Sequence, residues 1–126
     1  MQSTTISDVR TIAVPVTDQD AAADFYVGVL GFERRLDAPI SPTMRWLEVA
    51  PPGAGVSLAL EARQEDDDRS SDTGIRFTVP DAAAEHEALQ SRGVAVSDLL
   101  RWEGVPPMFT FADPDGNRFY VVEDLR

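Results

Sequence analysis

The order of predicted structural elements repeats in the two halves of this chain, and that repeat limits the fold more than any other feature. Each half begins with an apolar strand, continues through an aspartate into an Ala-rich helix, and ends that helix at a glycine. The two glycines, Gly31 and Gly93, lie about half the chain length apart. Three further strands are predicted after each glycine. The sequence therefore predicts an internal duplication of a strand–helix–strand–strand–strand module.

Apolar alternation and turn residues place the elements within each module. Asp18 or Asp20 is predicted to cap a first helix that begins near Ala21, and Asp81 is predicted to cap the second helix. Two prolines in APISPT predict a turn after Ala38. The predicted strands cover 9–16, 32–38, 44–50 and 56–62 in the first half. In the second half they cover 73–81 (TGIRFTVPD), 94–102, 108–113 and 118–123.

The predicted fold is a single α+β domain of 126 residues built from two tandem βαβββ modules. Module 1 covers about 8–62 and module 2 about 73–126, and the linker 63–72 has no apolar residue. One helix covers only one face of a four-stranded sheet. The uncovered faces are therefore predicted to form a curved sheet around a shared cavity, where ligands usually bind.

Composition excludes several classes of protein. The net charge is −11 and no basic patch is visible, so a nucleic-acid-binding role is not expected. No apolar run approaches the roughly 18 residues of a membrane helix, and the N-terminus lacks the pattern of a signal peptide. The absence of cysteine excludes disulfides and thiolate metal sites, and it agrees with a cytoplasmic protein.

Two segments carry a family resemblance: VRTIAVPVTDQDAAADFYVGVLGFE near the start and FADPDGNRFYVVE near the end. Both resemble the vicinal oxygen chelate superfamily, which includes glyoxalase I, extradiol dioxygenases and bleomycin-binding resistance proteins. The resemblance covers nearly the whole chain. It implies the two-module fold above and a homodimer, but it does not fix the function, because one fold hosts many activities.

Metal-binding members of that superfamily hold a divalent ion with two histidines and two carboxylates. The resemblance places these four ligands on Thr11, Leu58, Gly74 and Tyr120, none of which is a ligand of that type. The resemblance therefore implies a pocket without a metal, and we predict no cofactor.

A register shift of one or two residues would bring Glu61 or Glu123 to a ligand position, but it would not supply a histidine. The one histidine of the chain, His86, lies between two glutamates on the second predicted helix, where we expect it to be solvated.

Alternation along the strands predicts which side chains line the pocket. Trp46, Trp102 and Tyr120 offer flat surfaces for a planar ligand, and Met108 offers an adaptable apolar wall. Trp46 and Glu48 share one side of their strand, although the sequence leaves open whether that side faces the pocket. The predicted ligand-binding set is Thr11, Trp46, Glu48, Leu58, Arg76, Trp102, Met108 and Tyr120.

Arg76 interrupts an apolar strand, GIRFTV, and an inward arginine needs an anionic partner. That partner is either a ligand or a carboxylate of the protein, with Glu48 and Glu61 as the candidates. A solvent-exposed position at the sheet edge is the remaining alternative.

Three functions fit these observations. The first is a metal-independent protein that binds an aromatic or cationic small molecule, as bleomycin-type resistance proteins do by sequestration. The second is a metal-free isomerase or lyase in which Tyr120, Arg76 and Glu48 act as acid, electrostatic clamp and base. The third is a scaffold with a vestigial pocket. The first is the leading prediction, and no catalytic residue is assigned under it.

Overall fold

The computed structural model describes residues 3–69 and 71–124. The chain divides into two compact units, Met1–Arg63 (unit 1) and Gln64–Arg126 (unit 2). Each unit contains one four-stranded sheet and one helical region. The predicted α+β fold of two tandem modules is confirmed. The predicted shared cavity stays a prediction.

Unit 1 follows the predicted order of elements. The strands are β1 (Thr11–Val16), β2 (Glu33–Ser41), β3 (Met44–Ala50) and β4 (Ser57–Ala62). Helix α1 (Gln19–Ala23) continues directly into a π-helical segment, Asp24–Val29. The strand order is β1-β4-β3-β2, in which β1 and β4 run parallel and the other neighbours are antiparallel.

Unit 2 repeats that topology. Its elements are β5 (Asp72–Val79), α2 (Ala82–Ser91), β6 (Ala95–Val96), β7 (Met108–Ala112) and β8 (Arg118–Glu123). The strand order is β5-β8-β7-β6, with β5 and β8 parallel. Strand β5 begins at Asp72, the residue that the sequence assigns to the end of the linker.

The ends of both helices follow local chemistry. A carboxylate oxygen of Asp18 accepts a hydrogen bond from the Ala21 amide at 3.0 Å, and Asp81 accepts one from the Ala84 amide at 3.1 Å. Gly31 and Gly93 have φ angles of 81° and 82°, in the left-handed region that favours glycine. Both helix boundaries are therefore fixed by short-range signals that were visible in the sequence.

Each sheet has one face that we call the helix face. In unit 1 this face carries Val14, Leu47 and Leu60, which are almost completely buried. In unit 2 it carries Phe77, Phe109, Phe111 and Phe119, and the rings of Phe77, Phe111 and Phe119 stack with centroids 5.2 to 6.2 Å apart. We call the other side of each sheet the opposite face.

Two predicted element boundaries are wrong. Strand β2 continues through Pro39 to Ser41, because β2 is an edge strand and a proline there removes no hydrogen bond that the sheet needs. The strand predicted over 94–102 is reduced to Ala95–Val96 and one isolated bridge at Leu100. The Ser97 hydroxyl oxygen accepts a hydrogen bond from the Thr110 amide at 2.8 Å, so a side chain takes the place of a backbone partner there.

None of the helices in the described part of the chain is long and apolar enough to cross a membrane.

Candidate functional site

The strand register of unit 1 decides which side chains share a face with Thr11. Parallel strands β1 and β4 pair Thr11 with Ser57 and Ile12 with Leu58. Paired residues project to the same side of a sheet, and their sequence neighbours project to the other side. Leu58 therefore lies on the helix face, is buried at 3% exposure, and does not share a face with Thr11. The prediction for Leu58 is wrong by one residue of register, and Ser57 takes its place.

The facing of β3, which the sequence left open, follows from the same register. Glu48 pairs with Ala59 of β4, which in turn pairs with Ala13 of β1. Glu48 and Trp46 therefore lie on the opposite face, together with Thr11 and Ser57. The structure brings three predicted residues of unit 1 onto one surface.

Glu48 is the central polar group of that surface. Its carboxylate is 4% exposed and accepts hydrogen bonds from the Ser57 hydroxyl at 2.6 Å and from the Trp46 indole nitrogen at 2.6 Å. Arg10 donates to the same carboxylate at 3.1 Å. Burial raises the pKa of Glu48, but the hydrogen bonds from Ser57 and Trp46 and the charge of Arg10 outweigh burial and hold the pKa below its ordinary value.

Sequence analysis missed Ser57 and Arg10. Ser57 opens an otherwise apolar strand, SLALEA, and a hydroxyl at such a position is a signal that a polar partner lies across the sheet. Arg10 precedes β1, and its side chain is 73% exposed, so nothing in its local sequence separates it from an ordinary surface arginine. The Thr11 hydroxyl donates to the Ser57 carbonyl at 3.1 Å.

The opposite face of unit 2 is organised around Tyr120. Arg76 of β5 pairs with Tyr120 of β8, and Thr110 of β7 pairs with Tyr120 from the other side. The Tyr120 hydroxyl donates to Asp72 at 2.8 Å, and Arg118 donates to the same carboxylate oxygen at 3.2 Å. Sequence analysis missed Asp72 because it lies at the end of a polar run that reads as a linker.

These contacts move the pKa values of Asp72 and Tyr120 in opposite directions. The hydrogen bond from Tyr120 is the largest of the causes that lower the pKa of Asp72, and the Gly74 amide and Arg118 add to it. The same hydrogen bond is the largest cause that raises the pKa of Tyr120. Tyr120 is therefore a neutral side chain whose hydroxyl donates its hydrogen bond to Asp72.

Arg76 is exposed and stacks on Tyr120. Its Cζ atom lies 4.4 Å from the centre of the Tyr120 ring, and its Nη1 atom donates to the Gly74 carbonyl at 2.8 Å. Across the described ranges 3–69 and 71–124, Arg76 has no carboxylate within ion-pair distance. Of the alternatives that the sequence left open for Arg76, the exposed position agrees with the structure, and Glu48 is bonded to Arg10.

The remaining two predicted residues differ in their surroundings. Met108 pairs with Val122 of β8, so it lies on the same face as Tyr120 and is half-buried there. Trp102 lies in the loop before β7 and is 63% exposed. The structure thus places Arg76, Met108 and Tyr120 on one sheet face and Trp102 on a loop.

The four positions that bind metal in related enzymes do not fit a divalent ion here. Thr11 and Tyr120 offer hydroxyls that already donate to protein oxygens, and Gly74 offers no side chain. Ser57, which replaces Leu58 in the corrected register, donates to Glu48. Within the part of the chain that the structure describes, no group of three or more His, Cys, Asp or Glu side chains is arranged to hold a metal ion.

The two alternative carboxylates have different positions. Glu61 pairs with Pro15, so it lies on the face of Thr11, at the other end of β1. Glu123 accepts a hydrogen bond from the Ala82 amide at 3.0 Å and so holds the start of α2.

His86 is not solvated as predicted. Its Nε2 atom lies 2.7 Å from the Ser97 carbonyl, and its ring meets the Phe109 ring edge-on at a centroid distance of 5.0 Å. Helix α2 turns the half-buried His86 toward the helix face of the sheet, where its ring packs against Phe109. His86 has a structural role on the side of the sheet away from Tyr120.

A cleft of about 380 Å³ lies in unit 1 beside the β2–β3 turn. Its polar side chains are engaged with one another: Arg45 donates to Asp37 through two nitrogens at 2.8 Å, and Gln19 donates to two backbone carbonyls. A smaller hollow of about 190 Å³ lies near Pro80 in unit 2. None of the predicted ligand-binding residues lines either hollow.

Residues 9–121 match the profile of the Glyoxalase/Bleomycin resistance protein/Dioxygenase superfamily. The chain is 31% identical to the protein YetH of Bacillus subtilis (strain 168) over 123 residues, which cover 94% of this chain and 99% of YetH.

Two solved structures are also similar. TnmS3 from Streptomyces sp. CB03234, described as an antibiotic binding protein, superposes with a TM-score of 0.84 at 37% identity, covering 96% of this chain and 98% of TnmS3. A glyoxalase/bleomycin resistance/dioxygenase superfamily member from Sphaerobacter thermophilus DSM 20745 superposes with a TM-score of 0.87 at 34% identity, covering 94% and 98%.

Proposed function

Because this chain belongs to the Glyoxalase/Bleomycin resistance protein/Dioxygenase superfamily, we propose that it is a metal-independent protein that binds and sequesters a small organic molecule. The observation that carries the proposal is the chemistry at the four metal-ligand positions. Thr11, Ser57 and Tyr120 have hydroxyls already committed to protein acceptors, and Gly74 has no donor atom. These positions favour a pocket wall over a metal centre.

Flat aromatic side chains on the opposite faces also support the proposal. The Trp46 indole is half-buried and held by its N–H bond to Glu48, so its ring is fixed on the opposite face of unit 1. The Tyr120 ring is fixed in the same way by Asp72. Rings held by a hydrogen bond at one edge lose little side-chain entropy when a ligand binds, and in Tyr120 one ring face is already covered by Arg76.

Similarity to TnmS3 adds independent support. That protein is described as antibiotic binding, and at 37% identity over nearly the full length of both chains the likeness goes beyond the fold. Under this proposal the ligand is a bulky compound with a planar part, and Thr11, Trp46, Glu48, Arg76, Trp102, Met108 and Tyr120 form or border its binding surfaces. Leu58 is left out because it lies on the helix face.

A thermal-shift screen tests this function. The purified protein is heated with a panel of planar antibiotics and aromatic metabolites, each with and without a chelator, and in parallel with divalent metals alone. A compound at about 100 times its dissociation constant stabilises a protein by about 2.7 kcal/mol, so a specific ligand gives a clear rise in Tm. We expect such a rise in the presence of chelator. A rise caused by metal alone and abolished by chelator contradicts the proposal.

Three substitutions connect any hit to the proposed surfaces. Trp46→Ala and Tyr120→Ala remove one stacking surface each and are expected to weaken binding about tenfold or more. Ile6→Ala is the matched control, because Ile6 is an apolar residue that is 81% exposed and lies outside both surfaces. Equal affinity in all three variants argues that the compound binds elsewhere.

A metal-free enzyme has less support. That function needs Tyr120 as an acid and Glu48 as a base, yet the bond to Asp72 raises the pKa of Tyr120, and Glu48 already accepts bonds from three donors. Conversion of a bound compound by wild-type protein in chelator, abolished in Tyr120→Phe, would revive the enzyme hypothesis.

A homodimer and a cytoplasmic location complete the proposal. The family resemblance and the exposed apolar side chains Leu36, Ile40 and Met44 near the edge strand β2 support a second copy as partner. The lack of cysteine agrees with a reducing compartment. Light scattering at micromolar concentration is expected to give twice the chain mass of 13.8 kDa, and a mass of one chain contradicts the dimer.

A further inference from the structure

Among the described arginines, Arg63, Arg76 and Arg101 have no ion pair, and of these three Arg76 is the one that lies within a strand. The sequence has 22 acidic residues against 11 basic ones, and all of the basic residues are arginines. Arg45 and Arg118 show the usual outcome, since each lies within ion-pair distance of an aspartate. Among the described residues Arg76 has no such partner, although its side chain is exposed on a sheet face. In so acidic a protein, an exposed arginine that has no ion pair among the described residues is a cation available to an anionic ligand.

The guanidinium of Arg76 is held in place. One of its nitrogens donates to the Gly74 carbonyl, and its Cζ atom lies 4.4 Å above the Tyr120 ring. Tyr120 is itself fixed by the bond from its hydroxyl to Asp72. A cation over an aromatic face is stabilised by about 0.5–1 kcal/mol at an exposed site. Arg76 is therefore oriented by contacts that leave most of its five N–H donors unused.

The residues around Arg76 can bind a ring compound that carries a polar substituent. Thr78, two positions along β5, and Thr110, which pairs with Tyr120, place hydroxyl groups on the same face. Met108 and Val122 pair with each other on that face and are half-buried, so they add an apolar border. This combination offers a planar cation, hydroxyl donors and an apolar wall on one continuous strip of three strands.

We propose that Arg76 binds an oxyanion, in the simplest case a carboxylate, carried by a planar ring compound that packs on the same face of unit 2. A guanidinium binds a carboxylate through two parallel hydrogen bonds, which the stacked and oriented side chain is prepared to make. The inference rests on the proposed small-molecule function and narrows its ligand class. It replaces the aromatic or cationic ligand expected from the sequence with an aromatic anion.

The test compares two probes that differ only in charge. Isothermal titration in the presence of chelator measures the dissociation constants of 2-naphthoate and 2-naphthamide, which have the same ring and nearly the same shape. We expect the wild-type protein to bind the carboxylate about tenfold more tightly, since a charge-assisted bidentate contact is worth at least that ratio.

Two arginine variants with the same change in net charge locate the effect. Arg76→Met is expected to abolish the preference for 2-naphthoate. Arg118→Met is the control, because Arg118 lies on the same face but is already bonded to Asp72. It is expected to keep the preference. Arg76→Lys retains the charge without the planar fork, so it is expected to recover only part of the ratio.

Each result separates the inference from the function on which it rests. Equal affinity for the two probes, or equal loss of preference in both methionine variants, overturns the inference while the binding function stands. Lack of 2-naphthoate binding at millimolar concentration also overturns the inference. The binding function fails on a different result, namely the absence of any shift across the whole compound panel in the thermal-shift screen.

Discussion

The sheets of the two units have the same topology, but their opposite faces carry contrasting chemistry. In unit 1 the central charged group is a carboxylate, Glu48, which is buried and bonded by Ser57, Trp46 and Arg10. In unit 2 the central pair is a phenol, Tyr120, and an exposed guanidinium, Arg76, with Asp72 and Arg118 at one side. The charge of Glu48 in unit 1 is thus bonded within the protein, whereas the charge of Arg76 in unit 2 is exposed to solvent.

The contrast shows that two modules with the same strand topology carry different chemistry on the same side of the sheet. Both sheets keep an apolar helix face, with aliphatic residues in unit 1 and stacked phenylalanines in unit 2. The two opposite faces differ in chemistry although both sheets have the same strand order. Unit 1 carries an indole that is bonded to a buried carboxylate, and unit 2 carries an exposed cation over an aromatic ring.

Replacing the buried carboxylate tests the internal role of Glu48 and should give the largest effect. Glu48→Leu leaves the Trp46 indole N–H and the Ser57 hydroxyl without their acceptor in a buried setting, which we expect to cost about 2 kcal/mol of unfolding free energy. Urea denaturation measures this cost. Glu48→Gln keeps an acceptor and should cost less. A loss below about 0.5 kcal/mol in Glu48→Leu would show that the network does not stabilise unit 1.

The matching substitution in unit 2 should have a smaller effect. Tyr120→Phe removes the hydroxyl bond to Asp72 but keeps the ring under Arg76, so we expect a loss of about 1 kcal/mol. The Asp72 carboxylate stays solvated enough to find water in its place. If Tyr120→Phe lowers the free energy of unfolding more than Glu48→Leu does in the same urea series, the proposed contrast between a buried network in unit 1 and an exposed one in unit 2 is wrong.

Acid should weaken the hydrogen-bond networks of both units. The pKa values of Glu48 and Asp72 are lowered from 4.5 and 3.8, so each charged carboxylate contributes stability that is fully present above those values. That stability is lost as pH falls through the lowered pKa of the folded state. In urea midpoints recorded from pH 7 to pH 2.5, Glu48→Gln and Asp72→Asn should each flatten part of the acid loss. An unchanged profile in both variants contradicts the assignment.

The contact from the exposed Arg10 to the buried Glu48 should contribute least to stability. Arg10 donates to Glu48, but its side chain is 73% exposed, and exposed ion pairs contribute only a fraction of a kcal/mol. Arg10→Ala is expected to cost about 0.5 kcal/mol or less, and the cost should shrink further in 0.5 M salt. A loss as large as that of Glu48→Leu would show that Arg10, rather than Ser57 and Trp46, is the main partner of the carboxylate.

Much of the fold was predictable because its signals are local. Asp18 and Asp81 cap helices through contacts three residues away, and Gly31 and Gly93 end the helical regions through their own backbone conformation. The strand 118–123 was predicted with its observed limits, because alternation and the preceding turn define it. Strand 94–102 failed because apolar composition does not show that Ser97 will replace a backbone partner with its side chain.

The candidate site was less predictable because it depends on long-range register. Whether Leu58 or Ser57 faces Thr11 is decided by the parallel pairing of β1 with β4, which no local pattern specifies. Asp72 and Arg10 lie in polar segments, and only their partners Tyr120 and Glu48, distant in sequence, distinguish them from surface residues. His86 was misplaced for the same reason, since its contact with Phe109 forms across unit 2.

Chemical-shift mapping by NMR tests the central claim most directly. The compound with the largest thermal shift is titrated into labelled protein in the presence of chelator. The account predicts that the largest changes fall on the Trp46 indole N–H in unit 1 and on the amides of Thr110 and Tyr120 in unit 2. The side chains of these residues lie on the opposite face of their own sheet. Changes confined to helix-face residues such as His86 and Phe109, with Trp46 and Tyr120 unmoved, would contradict it.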